Sequence, residues 1–209
     1  MKYYFLSDIH GNLPALEIVL KNIDNDSNII FLGDIVNYGP WSNECVDLID
    51  SLKNKVTLLG NHEDYFINGI CCPHDLVHSF FNFCINKFNR FNIISNYKKK
   101  YSFLDYTCIH TIDDKKIFYN SDININGNFI IGHSHQQFHK NKNNFNLINP
   151  GSVGQNRKNL NIISYCEFNY SQKSFLFHNL EYDSTIVIKK MIEMKYPDIC
   201  INYYKQMRS

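Results

Sequence analysis

Short apolar runs alternate with helix-like patterns in the first third of the chain. Residues 2–7 and 29–32 have the pattern of buried strands, and helical spacing of apolar residues follows the first of them (Leu16, Val19, Leu20 and Ile23). The unit repeats through a helix at 45–52 to a third strand at 56–59. Three strand–loop–helix steps predict a parallel sheet with right-handed crossovers, whose loops meet at one rim of the sheet.

The pattern changes twice further along the chain. A helical apolar face predicts a helix over residues 74–91. Seven short β-rich runs follow and are predicted as strands: 101–110, 115–119, 128–132, 136–139, 145–148, 161–168 and 173–180. Two helices, near 184–194 and 197–206, end the pattern. Because no linker-like stretch divides it, we predict one α/β domain over residues 1–209 that contains two layers of sheet.

Composition and charge exclude several classes of function. Hydrophobic residues make up 44% and charged residues 20%, as in globular proteins, and a net charge of +1 gives no general attraction to nucleic acid or anionic lipid. No apolar stretch is long enough to span a bilayer, and the first residues do not resemble a signal peptide. Seven irregularly spaced cysteines fit a reducing compartment. We expect a cytoplasmic protein without membrane contacts or strong nucleic-acid binding, and its oligomeric state stays open.

Side chains that can bind metal ions follow the apolar runs at five places. They are Asp8 with His10, Asp34, Asn61 with His62, His110, and His133 with His135. Neutral imidazoles and carboxylates are ligands of first-row divalent metal ions, and one carboxylate can bridge two ions. Eight polar side chains at one sheet rim would be costly to bury without cations, so the pattern predicts a metal site.

In this order, the five groups resemble the signature blocks of the calcineurin-like metallophosphoesterase superfamily. The blocks are Asp8-x-His10, Gly33-Asp34, Gly60-Asn61-His62-Glu63, His110, and Gly132-His133-Ser134-His135. Residues 8–16, 33–40 and 148–155 are also similar to a small bacterial and archaeal branch of stand-alone phosphoesterases, and the resemblance covers essentially the whole chain. It implies a four-layer αββα sandwich of two mixed β-sheets flanked by helices.

The resemblance also implies a binuclear site and a reaction. One ion would be bound by Asp8, His10, Asp34 and His135, and the other by Asp34, Asn61, His110 and His133. Asp34 and a hydroxide would bridge the two ions, and His62 would be the general acid near the leaving oxygen. The hydroxide would attack a small phosphodiester or phosphomonoester in line. Manganese, iron, zinc, cobalt and nickel all suit these ligands, and we favour manganese.

Further residues in or beside the blocks are candidates for substrate contacts. Asn12 and Tyr38 lie on the predicted rim loops, and Arg157 follows the stretch 148–155, where surface placement is the alternative. Two positions depart from the family pattern, which commonly has glycine there: Asn37, and Thr111 after His110.

Alternative functions follow from related families. A protein Ser/Thr phosphatase or a dinucleoside polyphosphate hydrolase normally has arginines where this chain has Asn37-Tyr38 and Leu58-Leu59. A non-catalytic interaction scaffold on the same fold would be favoured by lost ligands, whereas all seven ligands and His62 are present. The run Cys71-Cys72-Pro73-His74 lacks the ligand spacing of a structural zinc site, and we assign it no role.

Overall fold

The predicted strand–loop–helix steps build the first of two five-stranded sheets. The computed structural model describes residues 2–24 and 26–208, so that Met1, Asn25 and Ser209 lie outside the described residues. In chain order its elements are β1 (Lys2–Leu6), α1 (Leu13–Asn22), β2 (Asn28–Phe31), α2 (Ser42–Ser51), β3 (Lys55–Thr57), α3 (Asn61–Asn68), α4 (Asp75–Ile85), α5 (Phe91–Ile94), β4 (Lys100–Phe103), β5 (Tyr106–Ile109), β6 (Asn128–Ile130), β7 (Gln137–Lys142), β8 (Phe145–Pro150), β9 (Ile162–Asn169), β10 (Ser174–Glu181), α6 (Thr185–Glu193) and α7 (Asp198–Arg208).

Both sheets are mixed. The first has the strand order β10-β9-β1-β2-β3, with β1, β2 and β3 parallel and β9 antiparallel to both of its neighbours. The second has the order β4-β5-β6-β8-β7, with a parallel centre of β5, β6 and β8 and an antiparallel strand at each edge. The predicted fold class, two mixed sheets flanked by helices, is confirmed.

Alternating side chains of the first sheet define two separate cores. Tyr4 and Leu6 of β1 pack with the helices, whereas Phe5 between them packs against the second sheet. Strand β2 continues the alternation, because Phe31 faces the helices and Ile30 faces the second sheet. Successive side chains of a strand point to opposite faces, so a strand with both faces buried is apolar at every position.

The outer face of the second sheet has a different covering. Residues 111–127 pass over it, and Ile117 and Ile125 pack there on Leu147 in a third apolar cluster. Within this segment the structure contains turns and irregular backbone but no helix or strand, so the strand predicted at 115–119 is wrong. Isolated apolar residues can anchor an irregular segment as well as a strand, and a short run does not distinguish the two.

Other local differences involve turns inside predicted elements. The predicted helix over 74–91 is too long, because α4 ends at Ile85, residues 86–90 are not helical, and α5 begins at Phe91. Helix α3 was not predicted. The run 101–110 is a hairpin of β4 and β5 that turns at Leu104, whose φ is +53°. The remaining predicted helices and strands lie within a few residues of the observed ones.

The last two helices complete the helical layer. Tyr204 and Met207 of α7 are buried in the same core as Tyr4 and Leu6 of β1. The assignment of the whole chain, residues 1–209, to one domain stays a prediction. None of the helices in the described part of the chain has the length and apolar character needed to cross a membrane.

Candidate metal centre

The five polar groups meet where the parallel strands end. Asp8 with His10 follows β1, Asp34 follows β2, and Asn61 with His62 begins α3 just after β3. His110 follows β5, and His133 with His135 follows β6, so the second sheet contributes to the same rim. All eight predicted residues are brought together, as expected for open α/β sheets that bind ligands beyond the carboxyl ends of their strands.

Left-handed backbone aims five of these side chains. The residues with positive φ are Asp8 (54°), His10 (48°), Asp34 (55°), His133 (66°) and His135 (59°). Such angles are uncommon outside glycine, cost on the order of 1–3 kcal/mol each and persist only where the surroundings hold them. Hydrogen bonds between neighbouring loops hold them here: the Asp8 N–H donates to Gly33 O at 3.1 Å and the His10 N–H to Asp34 O at 3.0 Å. Strained backbone concentrated at one rim is typical of a functional site.

Three histidines have their ring orientation set by backbone carbonyls. The Nδ1 atom lies 3.3 Å from Val36 O in His10, 2.8 Å from Leu32 O in His110, and 2.6 Å from Gln155 O in His135. Because a carbonyl can only accept, each Nδ1 carries the proton, and the Nε2 of a neutral ring presents its lone pair to the centre.

The lone pairs of His10 Nε2 and His135 Nε2 therefore lie close together in a buried part of the site, beside Asp8. The Nε2 atoms of His10 and His135 are 3.2 Å apart, and His135 Nε2 is 3.3 Å from Asp8 Oδ1. That Asp8 oxygen is buried and has no hydrogen-bond partner in the described part of the chain. Facing acceptors at these distances repel one another, and a divalent cation coordinated by them removes the repulsion.

Asp34 lies between two sets of donors. Its Oδ2 is 3.1 Å from His110 Nε2 on one side and 3.9 Å from His10 Nε2 on the other. Asn61 Oδ1 adds an oxygen at 3.1 Å from His110 Nε2. Three sets have ligand atoms within 4.8 Å of one another: Asp8, His10 and His135; Asp34, His110 and His133; and His10, Asp34 and His62.

The two carboxylates are perturbed in opposite directions. Burial raises the pKa of Asp8 to about 7, and the charge of Asp34 adds to the rise. Burial also acts to raise the pKa of Asp34, but His110 and His62 outweigh it and hold that pKa well below its usual range. Asp34 therefore carries the negative charge around which the site is arranged.

Burial and nearby charges also determine the pKa values of the histidines. Burial lowers the pKa of His133 to about 3 and keeps those of His10 and His135 well below the usual value. Burial opposes protonation of His110 as well, yet the adjacent Asp34 raises its pKa to about 10. With no ion bound, His110 holds a proton beside Asp34, and a cation must displace it. Neutral imidazoles and carboxylates fit first-row divalent ions.

His62 is buried beside the donors and is oriented by Asn37. The Asn37 amide nitrogen lies 2.8 Å from His62 Nδ1 and donates to it, so a neutral His62 carries its proton on Nε2. That Nε2 is 4.0 Å from Asp34 Oδ2 and therefore faces the centre. Burial lowers the pKa of His62 to about 4, so the resting ring is neutral. Asn37 has a φ of +73°, which asparagine tolerates better than most residues, and this explains how it replaces glycine.

Glu63 is a structural residue of the site to which sequence reasoning gave no role. Its carboxylate accepts four backbone hydrogen bonds, from the N–H groups of Asp34, Ile35, Val36 and Gly60, at 2.7–3.0 Å. It thereby joins the loop that carries Asp34 to the start of α3. Its place in the block Gly60-Asn61-His62-Glu63 was the available signal.

Position 60 needs a glycine because atoms of Asp34 lie very close to its Cα atom. A Cβ atom at this position would lie 2.2 Å from Asp34 Oδ1 and 2.4 Å from the Asp34 backbone nitrogen. A side chain here would displace the shared carboxylate, so only glycine lets the two loops approach.

A cleft with a volume of about 510 Å³ opens over the donors. Its lining residues are Asp34, Tyr38, Asn61, His62, Asp64, Tyr65, Cys72, Val77, Thr111, Asp114, Lys116, His133, His135 and Arg157. Tyr38 and Arg157 are therefore at the site, and Arg157 Nη2 lies 3.5 Å from His135 Nε2. Lys116 was missed because its segment was predicted as a strand.

Asn12 does not line the cleft, so its predicted substrate contact is not supported. Its side chain is fully buried and accepts from the Ala15 N–H at the start of α1. Its amide nitrogen donates to Gly154 O at 2.8 Å and to the Tyr182 hydroxyl at 2.7 Å. With these bonds made, Asn12 joins two loops and has no donor left for a ligand.

The cysteine-rich run lies apart from the donor sets. Within the described residues, none of Cys71, Cys72, His74 and His78 belongs to a set of three or more side chains placed to hold a metal ion. Cys72 lines the cleft, and both Cys71 and Cys72 are free thiols.

Comparison with known proteins agrees with this fold and site. The model of the calcineurin-like phosphoesterase family matches residues 1–164, and the chain belongs to that family. It is 32% identical to the uncharacterized protein MJ0912 of Methanocaldococcus jannaschii, over 92% of this chain and 93% of that protein. The family is metal-dependent and acts on phosphoesters, so the coarse prediction of a metal-binding hydrolase is supported.

Solved structures share the fold. A metallophosphoesterase from Sphaerobacter thermophilus superimposes with a TM-score of 0.81 at 24% identity and covers 99% of both chains. A hypothetical protein from Pyrococcus horikoshii OT3 gives a TM-score of 0.84 at 15% identity and covers 97% of both chains. At such identities the likeness shows the fold alone.

Proposed function

We propose that the protein is a binuclear metal-dependent phosphoesterase that hydrolyses phosphodiester bonds. The observation that carries the proposal is the position of Asp34 between two donor sets, with Oδ2 3.1 Å from His110 Nε2 and 3.9 Å from His10 Nε2. The seven ligands would divide as follows: Asp8, His10, Asp34 and His135 around one ion, and Asp34, Asn61, His110 and His133 around the other. Manganese is the first metal to test, before iron, zinc, cobalt and nickel.

Two ions held in this way would supply Lewis-acid activation of the attacking water and of a phosphoryl oxygen. The side chains of the protein do the remaining work. Arg157 and Lys116 line the cleft and neither has an ion-pair partner among the described residues, so both are free to attract phosphate oxygens. His62 presents its Nε2–H toward the centre.

His62 is the proposed proton donor. A hydroxide oxygen forms a bond to phosphorus, the bond from phosphorus to the leaving oxygen breaks, and that oxygen takes the Nε2 proton of a protonated His62, which becomes a neutral ring. The pKa of His62 is about 4 in the protein alone because the ring is buried. An anionic phosphoester beside the ring acts to raise this pKa, and protonation of Nδ1 requires the Asn37 amide to turn its oxygen, in place of its nitrogen, toward the ring.

A dinucleoside polyphosphate hydrolase is the second candidate. The chain is 39% identical to a symmetrical bis(5'-nucleosyl)-tetraphosphatase of Buchnera aphidicola over 67 residues, which is 30% of this chain and 24% of that enzyme. Because the match is short, it supports the shared metal-binding region more than the substrate. A substrate screen of diesters, monoesters and dinucleoside tetraphosphates distinguishes the candidates.

The test is His62→Ala, with His139→Ala as a matched control. His62 lies outside the proposed ligand set, so both ions should stay bound while turnover falls by about 10²- to 10⁴-fold. The loss should be smaller for nitrophenyl esters, which leave without protonation, and largest for alkyl diesters. His139 is exposed and bonds to Asn146 Oδ1 at 2.8 Å, so its loss should change neither quantity.

Metal analysis and turnover of esters with graded leaving groups decide the outcome. An equal loss for every leaving group would show that His62 does not donate the proton. Wild-type protein that binds two ions but hydrolyses no phosphoester would favour the scaffold alternative.

A further inference from the structure

A second cavity adjoins the cleft that opens over the donor residues. It has a volume of about 250 Å³ and shares two lining residues, His135 and Arg157, with the cleft. The other lining residues are Phe118, Ser134, Gln136, Gln137, Asn156, Lys158, Ser164 and Asn179. Together the two spaces fall within the range of small-molecule sites, roughly 300–1,000 Å³. We call this second cavity the side pocket.

The chemistry of the side pocket differs from that of the cleft. The cleft is lined by three aspartates, Asp34, Asp64 and Asp114, whereas none of the described residues that line the side pocket carries a carboxylate. Its charged residues are two cations, Arg157 and Lys158. The side pocket therefore disfavours a cationic group and accepts a neutral or anionic one.

An aromatic ring and unused amide donors line the side pocket. Phe118, a large apolar side chain that lines the side pocket, is 38% exposed. Gln136 Oε1 accepts from the Tyr119 N–H at 2.9 Å, and within residues 2–24 and 26–208 no hydrogen bond engages its Nε2. Among the described residues, Asn156 Nδ2 donates one hydrogen bond, of 3.4 Å, to Ser164 Oγ, which leaves one of its two N–H groups unused. One aromatic side chain and two amides with donors left suit a ring that carries hydrogen-bond acceptors.

The floor of the side pocket is rigid. Gln137 Nε2 lies 3.1 Å from three backbone carbonyls, those of Pro150, Tyr165 and His178, and its Oε1 accepts from Asn179. Ser164 Oγ donates to Asn179 Oδ1 at 2.7 Å. These bonds hold the floor in one shape, so a ligand binds there without reordering it.

The side pocket adjoins the site at His135 and not at His62. The centre of the His10 ring is 4.9 Å from that of the His62 ring and 4.9 Å from that of the His135 ring. His62 lines the cleft but not the side pocket. If the leaving group departs on the His62 side, the substituent that stays on phosphorus lies toward Arg157 and the side pocket.

We infer that the side pocket binds the retained substituent of a phosphodiester, and that this substituent is a nucleoside whose base packs on Phe118. The inference rests on the proposed function and adds a substrate class to it. Gln136 and Asn156 donate to acceptors of the base, and Arg157 lies at the junction where the phosphate joins the nucleoside.

The test compares two esters that release the same nitrophenolate. Thymidine 5′-p-nitrophenyl phosphate retains a nucleoside after hydrolysis, and methyl p-nitrophenyl phosphate retains only a methyl group. For Phe118→Ala, kcat/KM should fall about tenfold or more on the thymidine ester, the usual effect of losing one aromatic stacking partner, and by less than about twofold on the methyl ester. Phe118→Tyr keeps the ring and should restore the wild-type ratio.

Binding of thymidine 5′-monophosphate to the metal-free protein, measured by calorimetry, is an independent readout. Phe118→Ala should weaken it about tenfold, and Gln136→Ala should weaken it less. Equal losses on both esters, or unchanged nucleotide binding in Phe118→Ala, would overturn the inference. Failure of wild type to hydrolyse either ester would instead count against the proposed function, and nucleotide binding would still test the side pocket.

Discussion

The two donor sets that share Asp34 differ in their access to solvent. The inner set, Asp8, His10 and His135, is buried, with Asp8 and His10 fully inaccessible. The outer set consists of Asn61, His110 and His133. Of these three residues His110 is buried, whereas Asn61 and His133 are half-buried and line the cleft. Half of the site is therefore enclosed by protein, and half is open to ligands.

The difference has a structural cause. Two of the inner residues, Asp8 and His10, follow β1, which has a neighbour on each side in the centre of the first sheet. The outer residues follow β3, at the edge of that sheet, and β5 and β6 of the second. We expect an ion on the inner set to be held tightly and exchanged slowly, and an ion on the outer set to exchange with solvent.

The largest effect is expected from Asp34→Asn, because both sets depend on this carboxylate. Losing a residue that contacts both ions should lower metal affinity and turnover by at least about 100-fold. This is more than the effect of losing a residue that only hydrogen-bonds to a metal ligand. Metal analysis after gel filtration and turnover measure the effect.

Asp47→Asn is the matched control for Asp34→Asn. Asp47 is exposed, lies on α2, pairs with Arg90 at 2.6 Å and belongs to none of the donor sets, so the control should keep both ions. Full metal content in Asp34→Asn would contradict a shared carboxylate.

A smaller and selective effect is expected from one-sided variants. His10→Ala should remove the slowly exchanging ion, and Asn61→Ala the rapidly exchanging one, so that each variant retains about one ion of two. Turnover should fall in both, because the proposed reaction needs both ions.

The experiment adds a limited amount of chelator and measures the release of metal from the protein over time. Wild type should release its ions in two phases, and Asn61→Ala should lose the fast phase. Release in one phase from wild type would show that the two sets do not differ in exchange, whatever their burial.

The smallest effect is expected from Glu63→Gln, which changes the hydrogen bonds that join the Asp34 loop to the start of α3, where Asn61 of the outer set lies. Glutamine has one acceptor oxygen and places an N–H₂ group against backbone N–H donors, four of which Glu63 now satisfies. The free energy of unfolding should fall by about 1–3 kcal/mol, and the affinity for the outer ion by about tenfold. Denaturant unfolding and metal titration check the two changes.

Glu193→Gln is the control for Glu63→Gln, because Glu193 is exposed and pairs with Lys190 on the same helix. Such a surface pair contributes about 0–1 kcal/mol. A loss of stability in Glu63→Gln no larger than in Glu193→Gln would mean that the four bonds are not important for the loop.

Local patterns determined much of the fold and the ligand set. The continuous apolar runs of β1 and β2 identify strands that are buried on both faces, and the polar residues after them identify the rim. Asp8, Asp34 and His110 could be found because each stands one or two residues after an apolar run, at a position set by the neighbouring sequence. The family resemblance carried by these blocks is confirmed.

Tertiary structure alone decided how these residues are supported and what surrounds them. Asn37 meets His62 across 25 positions of the chain and Glu63 meets Asp34 across 29, and no local pattern encodes such partners. Asn12 was excluded from the cleft by its bonds to Gly154 and Tyr182, which are more than 100 positions away. Local spacing specifies what each short segment can form, but cavities, hydrogen-bond partners and burial depend on which distant segments pack together. For that reason the side pocket, where residues 118, 136 and 156 meet, could be recognised only in the folded chain.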